Sequence, residues 1–245
     1  IGTSSIPDHV STVSAVQIGQ RSSLWSETTG NAYFQLANNA YYDNTNSRFE
    51  YVAAGTASKI TQQGGSFQFS SAASGSADAA ITFTDLLTIS AAGEITAPLQ
   101  PAFNAYVAAT QSNIAINTEV VVQYNTDSGL GYDQGGDYNT TTYTFTAPVD
   151  GRYLFTYFMR LSSVDSAVPQ LYTVIVTSNA NYEQVINPDT MFSSDVGTHT
   201  ANNSTMADMD ASDTAFIRIY QAGGTAQMDI TGNTYSAYFS GTLIC

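Results

Sequence analysis

A single cysteine, Cys245, in 245 residues excludes a disulfide within the chain. Only two histidines are present, His9 and His199, both among serine and threonine. A metal cluster or a nucleophile–base pair could draw on nothing beyond those two rings and one thiol, so both histidines read as solvated bystanders. Lysine and arginine total six against twenty acidic residues, a formal charge of −14. Such a surface repels phosphate backbones and anionic headgroups, which argues against nucleic acid or a membrane face as partner. No run of about 18 apolar residues exists, so no helix here inserts into a bilayer. The G-x-S-x-G and H-E-x-x-H patterns are absent, as is a glycine loop that would cradle phosphate ahead of a helix. Ile1 is not a start methionine and no leader pattern follows it, so the chain reads as a fragment or a processed product.

Hydrophobic content is 43%, enough for a folded core. It is arranged with a period of two, in short runs bounded by Gly, Asn, Asp and Ser. The first part carries NAYFQLANNAYYD, SRFEYVAAG, GGSFQFSSA and AAITFTDLLTIS. Turns are expected at DNTNS, at QQGGS and over SAASGSADA at Ser71–Ala79. This part has few large aliphatics, so alone it would bury little apolar area, and neighbouring chains are expected to add to it. At AAGEITAPLQPAF, Pro98 and Pro101 interrupt pairing and favour an extended connector. Two domains are expected on either side, 1–97 and 98–245. The first carries three basic and seven acidic residues, the second three and thirteen.

Beyond the connector the strands lengthen: NTEVVVQYN, TTYTFTAP, GRYLFTYFMRL, QLYTVIVTS, TAFIRIYQ, AQMDIT and YSAYFSGTLIC. Seven or eight strands in about 145 residues, divided by turn signals, predict an all-β antiparallel two-sheet sandwich or jelly roll. The segment from Tyr153 is apolar at Tyr153, Phe155, Tyr157, Met159 and Leu161, and again on the opposite face at Leu154 and Phe158. One face of a strand in a two-layer sandwich meets the core. The other, with Leu154 and Phe158, requires cover from a loop or another subunit.

These residues resemble the C1q/TNF-like jelly-roll family. The family pattern F-x-A-P-x-x-G-x-Y-x-F stands here as Phe145, Ala147, Pro148, Gly151, Tyr153 and Phe155. Upstream, QYNTDSGLGYDQGGDYN is similar to the family's Asn- and Gly-rich loop. MDASDTAFIRI at Met209–Ile219 and FSGTLIC at Phe239–Cys245 resemble its late and closing strands. The resemblance implies a compact homotrimer, with Leu154 and Phe158 in the trimer interface and Phe145, Gly151, Tyr153, Phe155 and Phe239 in the structural core. IGTSSIPDH at the start and TISAAGEIT at Thr88–Thr96 resemble the edges of a repeat found in bacteriophage tail-fibre proteins.

Together the resemblances imply a structural virion protein, not an enzyme: the distal part of a trimeric phage fibre, extracellular, with its C1q-like knob on a host surface. Two loops, Asp127–Asn139 and Phe192–Ser204, are the candidates for receptor contact. Tyr132, Asp133, Asp137 and Tyr138 in the first suit a glycan, since tyrosine rings stack on sugars and carboxylates accept from hydroxyls. No cofactor is expected. Structural calcium stays open at Asp208, Asp210 and Asp213 or at Asp127, Asp133 and Asp137, because some C1q-like domains hold calcium near the trimer axis, although neither run has EF-hand spacing. The alternatives are a glycan-degrading fibre enzyme using two carboxylates and a C1q-like trimer on a bacterial spore or cell surface. The collagen-like period expected ahead of the latter is missing.

Overall fold

The computed structural model describes residues 13–27, 33–43, 45–233 and 236–245. The IGTSSIPDH motif and His9 lie outside the described residues. The chain divides into two compact units, residues 1–99 and 100–245.

The N-terminal unit contains β1 (Val13–Ile18), β2 (Ser22–Glu27), β3 (Tyr33–Asn38), β4 (Ala40–Asp43), β5 (Arg48–Tyr51), β6 (Gly55–Gln63), β7 (Ser66–Gly75), β8 (Thr84–Ile89) and β9 (Ile95–Thr96). Seven of these form one antiparallel sheet in the order β1-β2-β3-β6-β7-β8-β9, and β4 and β5 form a separate hairpin. The hairpin packs on one face, where Ala40 and Tyr51 meet Ala37, Ala57 and Ala72. A buried cluster in which four of five members are alanine removes little apolar area from water. Rings extend it: Trp25 meets Tyr33 edge-on at 5.2 Å and Phe49 at 5.8 Å, and Phe49 meets Phe83 at 5.5 Å. The Lys59 ammonium sits 4.7 Å from the centroids of both Phe49 and Phe83, a cation–π contact that its burial strengthens. Within the hairpin, buried Glu50 accepts from the Tyr41 hydroxyl at 2.7 Å and pairs with Arg48 at 2.8 Å. The Tyr41 bond, reinforced by Arg48 and Asn46, holds the Glu50 carboxyl below its usual range. The turn expected over Ser71–Ala79 is corrected. Strand β7 runs to Gly75, because Ala72 points into the core and Ser70–Ala72 stay paired with β6.

The C-terminal unit contains β10 (Ala102–Tyr106), β11 (Glu119–Val121), β12 (Tyr132–Gln134), β13 (Tyr138–Asn139), β14 (Thr144–Thr146), β15 (Gly151–Val164), β16 (Gln170–Thr177), β17 (Asn181–Ile186), α1 (Pro188–Met191), β18 (Val196–Met209), β19 (Thr214–Ala222), β20 (Asp229–Ile230) and β21 (Ala237–Leu243). One sheet runs β12-β10-β21-β15-β18, with β20 also on β15. The other runs β13-β14-β19-β16-β17, with β11 on β19. This is the two-layer jelly roll that the alternation predicts.

Strand β15 is the spine of the first sheet. Tyr153, Phe155, Tyr157, Met159 and Leu161 alternate into the core, each fully buried. Between the sheets Phe103 stacks on Tyr138 and Phe145 with centroids 4.7 and 5.0 Å away, and the Phe239 ring meets Phe103 edge-on at 5.0 Å. Such pairs contribute about 0.5–1.5 kcal/mol beyond the area they bury. The core tyrosines keep hydrogen-bond partners. Tyr138 donates to the Tyr124 carbonyl at 2.9 Å, Tyr153 to the Val149 carbonyl at 2.8 Å, and the Tyr157 and Thr173 hydroxyls bond at 2.5 Å. Burial pushes the Tyr157 phenol up to about 12. At Gly151 an added Cβ would lie 2.7 Å from the Cys245 carbonyl oxygen and 2.6 Å from Leu243 Cδ1. Any side chain there would block the bond from the Arg152 N–H to Cys245.

Several strand and loop expectations change, and TTYTFTAP pairs only over Thr144–Thr146. NTEVVVQYN forms a strand only over Glu119–Val121; the Val122 N–H still donates to the Ile217 carbonyl at 2.9 Å, and the side chains of Val122 and Tyr124 fill the core. AQMDIT pairs only at Asp229–Ile230. Most of the expected loop Phe192–Ser204 belongs to the fourteen-residue strand β18, which pairs along the length of β15.

Candidate functional site

The candidate site is the outer face of the sheet containing β15. Register places three rows across it. Tyr106, Tyr238, Phe158 and Asn202 form one; Ala102, Thr242, Leu154 and Met206 form another; Tyr132, Asn104, Ser240, Thr156 and Ser204 lie between them. Phe158 stacks on Tyr238 with centroids 5.7 Å apart and planes 14° from parallel. The middle row is polar and partly self-satisfied: the Thr156 and Ser204 hydroxyls bond at 3.0 Å. Leu154 and Phe158 are half-buried within one chain, and Met206 is 54% exposed. The charged groups Arg152, Arg160 and Asp208 stand toward the two ends of this face, where Arg152 and Asp208 pair loosely at 3.9 Å. Between them the surface is neutral, with aromatic and aliphatic side chains on either side of the polar row. A monomer gains nothing by holding rings against water, and patches of this kind mark contact surfaces.

Residues 102–244 match the C1q domain family over more than half of the chain. The chain belongs to the C1q domain family. Similar solved structures include the globular domain of zebrafish complement 1qA protein, with 18% identity, TM-score 0.44, and coverage of 60% of this chain and 98% of that one. Murine APRIL at pH 8.0 is also similar, with 8% identity, TM-score 0.42, and coverage of 59% and 99%. No curated protein matches the chain. C1q-like domains commonly assemble as trimers, bind ligands and are typically not enzymes.

The four residues expected to form a receptor site in the C1q unit do not share a surface. Tyr138 is corrected to a core residue: it is 5% exposed, stacked on Phe103, with its hydroxyl bonded to Tyr124. Asp133 is engaged in a turn, accepting from the N–H groups of Asp137 and Tyr138 at 3.1 Å each. Asp137 is half-buried, and burial, with Asp133 beside it, raises its pKa. Tyr132 is 53% exposed and stands opposite Asn104, on the outer sheet face. The carboxylates considered for calcium are dispersed. Asp213 accepts from the Asn179 amide at 2.7 Å and from the Asp210 N–H at 3.0 Å, and Asp208 points to Arg152. Among the described residues no three His, Cys, Asp or Glu side chains converge on one point. His199 faces inward against the Phe192 ring at 5.6 Å, and burial lowers its pKa.

One carboxylate escaped the sequence reading. Asp165 is 2% exposed and ties two distant loops together. It accepts from the Ala167 N–H at 2.7 Å, the Ala226 N–H at 2.8 Å, the Thr225 hydroxyl at 3.0 Å and the Thr225 N–H. The Ala167 bond leads, burial opposes, and the Thr225 and Ala226 bonds complete a shift down to about 2 from the ordinary 3.8. A carboxyl whose folded pKa is depressed stabilises fully above its unfolded value and loses that contribution as pH falls through the folded one. Asp165→Ala strands buried N–H donors and is expected to cost about 3 kcal/mol at neutral pH. In urea titrations the gap between wild type and variant should narrow between about pH 4 and about pH 2. A gap that is unchanged at the acid end would refute the role.

Proposed function

We propose that this chain is a structural virion protein: the distal, homotrimeric part of a phage fibre, exposed outside the cell, whose C1q unit binds a host surface glycan or other receptor. The observation that carries the assembly is the neutral outer face holding Leu154, Phe158, Tyr238 and Met206, which one chain leaves partly open to water. The order of modules supports the fibre, with a shallow-cored sheet preceding the C1q unit. The TISAAGEIT segment supports it too. It is the β8–β9 hairpin, closed by the Ser90 N–H to the Glu94 carbonyl at 2.9 Å. Upstream fibre segments or another virion protein would be its attachment partner.

The mechanism is binding. Three linked heads raise apparent affinity through effective concentration, so weak individual contacts suffice. The receptor surface would use loop tips of the knob, where exposed Leu130 lies among glycines, since loops vary without disturbing the sandwich. Light scattering on the full chain should return three times 26.1 kDa. Antibody raised against it should decorate fibres on purified particles and block their adsorption. A monomer at micromolar concentration, or undecorated particles, would each defeat the reading.

A further inference from the structure

The N-terminal sheet covers only one of its faces with the β4–β5 hairpin. On the other, register aligns Val16, Leu24, Leu36, Ile60, Phe69 and Leu87 into one row across six strands. The next row adds Phe34, Phe67, Ile89 and Ile95. Val16 is 43% exposed, Leu36 40% and Ile60 37%. The third row is polar beyond its first member, Ile18: Ser22, Asn38, Ser58 and Ser71, with the Asn38 amide donating to Ser22 at 3.1 Å. No position in these three rows holds a charged residue, in a chain whose net charge is −14. Of the charged side chains in the same strands, Lys59 and Asp85 alternate to the hairpin side.

We propose that this face is a homotypic contact, covered by the same face of further copies of this chain. The inference rests on the trimeric reading above and extends it to a second, independent contact. The choice of occupant follows from charge and linkage. Molecules that repel one another overall associate most readily through a surface free of like charge. Three N-terminal units joined to one C1q trimer are held at high effective concentration, so even a modest apolar row is driven together. The alanine-rich core on the hairpin side gives the unit little apolar burial of its own, so burial between copies would form a larger share of its stability.

The test uses the lone thiol. In a full-length Cys245→Ser chain, Ile60→Cys and, separately, Leu36→Cys place a small group at the centre of the row, and Ser76→Cys provides an exposed control. Light scattering gives the mass of each, and maleimide labelling under native conditions gives access to each thiol. The expected result is a trimer in which the thiols at 60 and 36 react at least about tenfold more slowly than the one at 76. A trimer whose thiol at 60 or 36 reacts as fast as the control overturns this inference and leaves the C1q trimer standing. A monomer overturns the trimer, and this contact with it. Slow labelling in a monomer shows the face covered by the chain's own residues and also overturns the proposal.

Discussion

Phe158→Asp is expected to convert the proposed trimer to a monomer while the C1q unit stays folded. The ring lies on the outer face, stacked on Tyr238, so its loss does not open the core, where the odd-numbered side chains of β15 remain. In the assembly each copy would bury a carboxylate in a neutral patch. An unpaired buried charge costs several kcal/mol per ion after relaxation, and every 1.4 kcal/mol is a tenfold change in the dissociation constant. Three copies therefore shift the equilibrium by several orders of magnitude, past any concentration used in light scattering. Phe158→Leu keeps the face apolar and should keep the trimer, which separates charge from size. A trimer that survives Phe158→Asp would move the assembly face elsewhere.

The second large effect concerns the aromatic core, where loss and gain of volume should both harm. Phe239 contacts Phe103, Tyr124, Tyr138 and Phe155 with ring centroids 5.0–6.1 Å apart. Phe239→Ala removes those contacts and leaves a cavity between two rigid sheets, a change that costs about 3–5 kcal/mol. For a unit of this size, one kcal/mol moves the midpoint by roughly 2–4 °C, so melting should fall by about 10 °C. Gly241 marks the opposite limit. A Cβ there would stand 2.5 Å from Phe103 Cε1 and 2.7 Å from two atoms of the Phe155 ring. Both rings are fully buried and cannot swing aside, so Gly241→Val should destabilise by at least about 1–3 kcal/mol through overpacking. Melting at fixed protein concentration measures both, since the proposed assembly would make the midpoint concentration-dependent. A midpoint unchanged in either variant would contradict this account of the core.

Much of the C1q unit was legible because its signals are local. The two-faced apolar run around Tyr153–Leu161 and the Pro148–Gly151 bend state their own geometry. Tyr132 and Tyr138 were not separable, since both sit in the same Gly- and Asp-rich stretch. Only the pairing of β12 with β10 and of β13 with β14 sends one outward and the other onto Phe103. Strand β18 was hidden because its inward positions are filled by His199, Ala201, Asn203, Thr205 and Ala207, which are small or polar and carry little alternation. Asp165 looked like any turn residue, because its partners Thr225 and Ala226 lie about sixty positions away in the chain. The row from Val16 to Leu87 is equally non-local, with each strand contributing one side chain.

Strand β21 lies between β10 and β15, although every other strand precedes it in the chain. Ala102 meets Thr242 and Tyr106 meets Tyr238 across almost the whole sequence of the unit. Loops that long close slowly, and contacts of high sequence separation slow folding. During synthesis the partners of β21 wait with open edges until it leaves the ribosome, a state prone to misassembly. The C1q unit therefore matures late and all at once, its two halves joined only when the closing strand arrives.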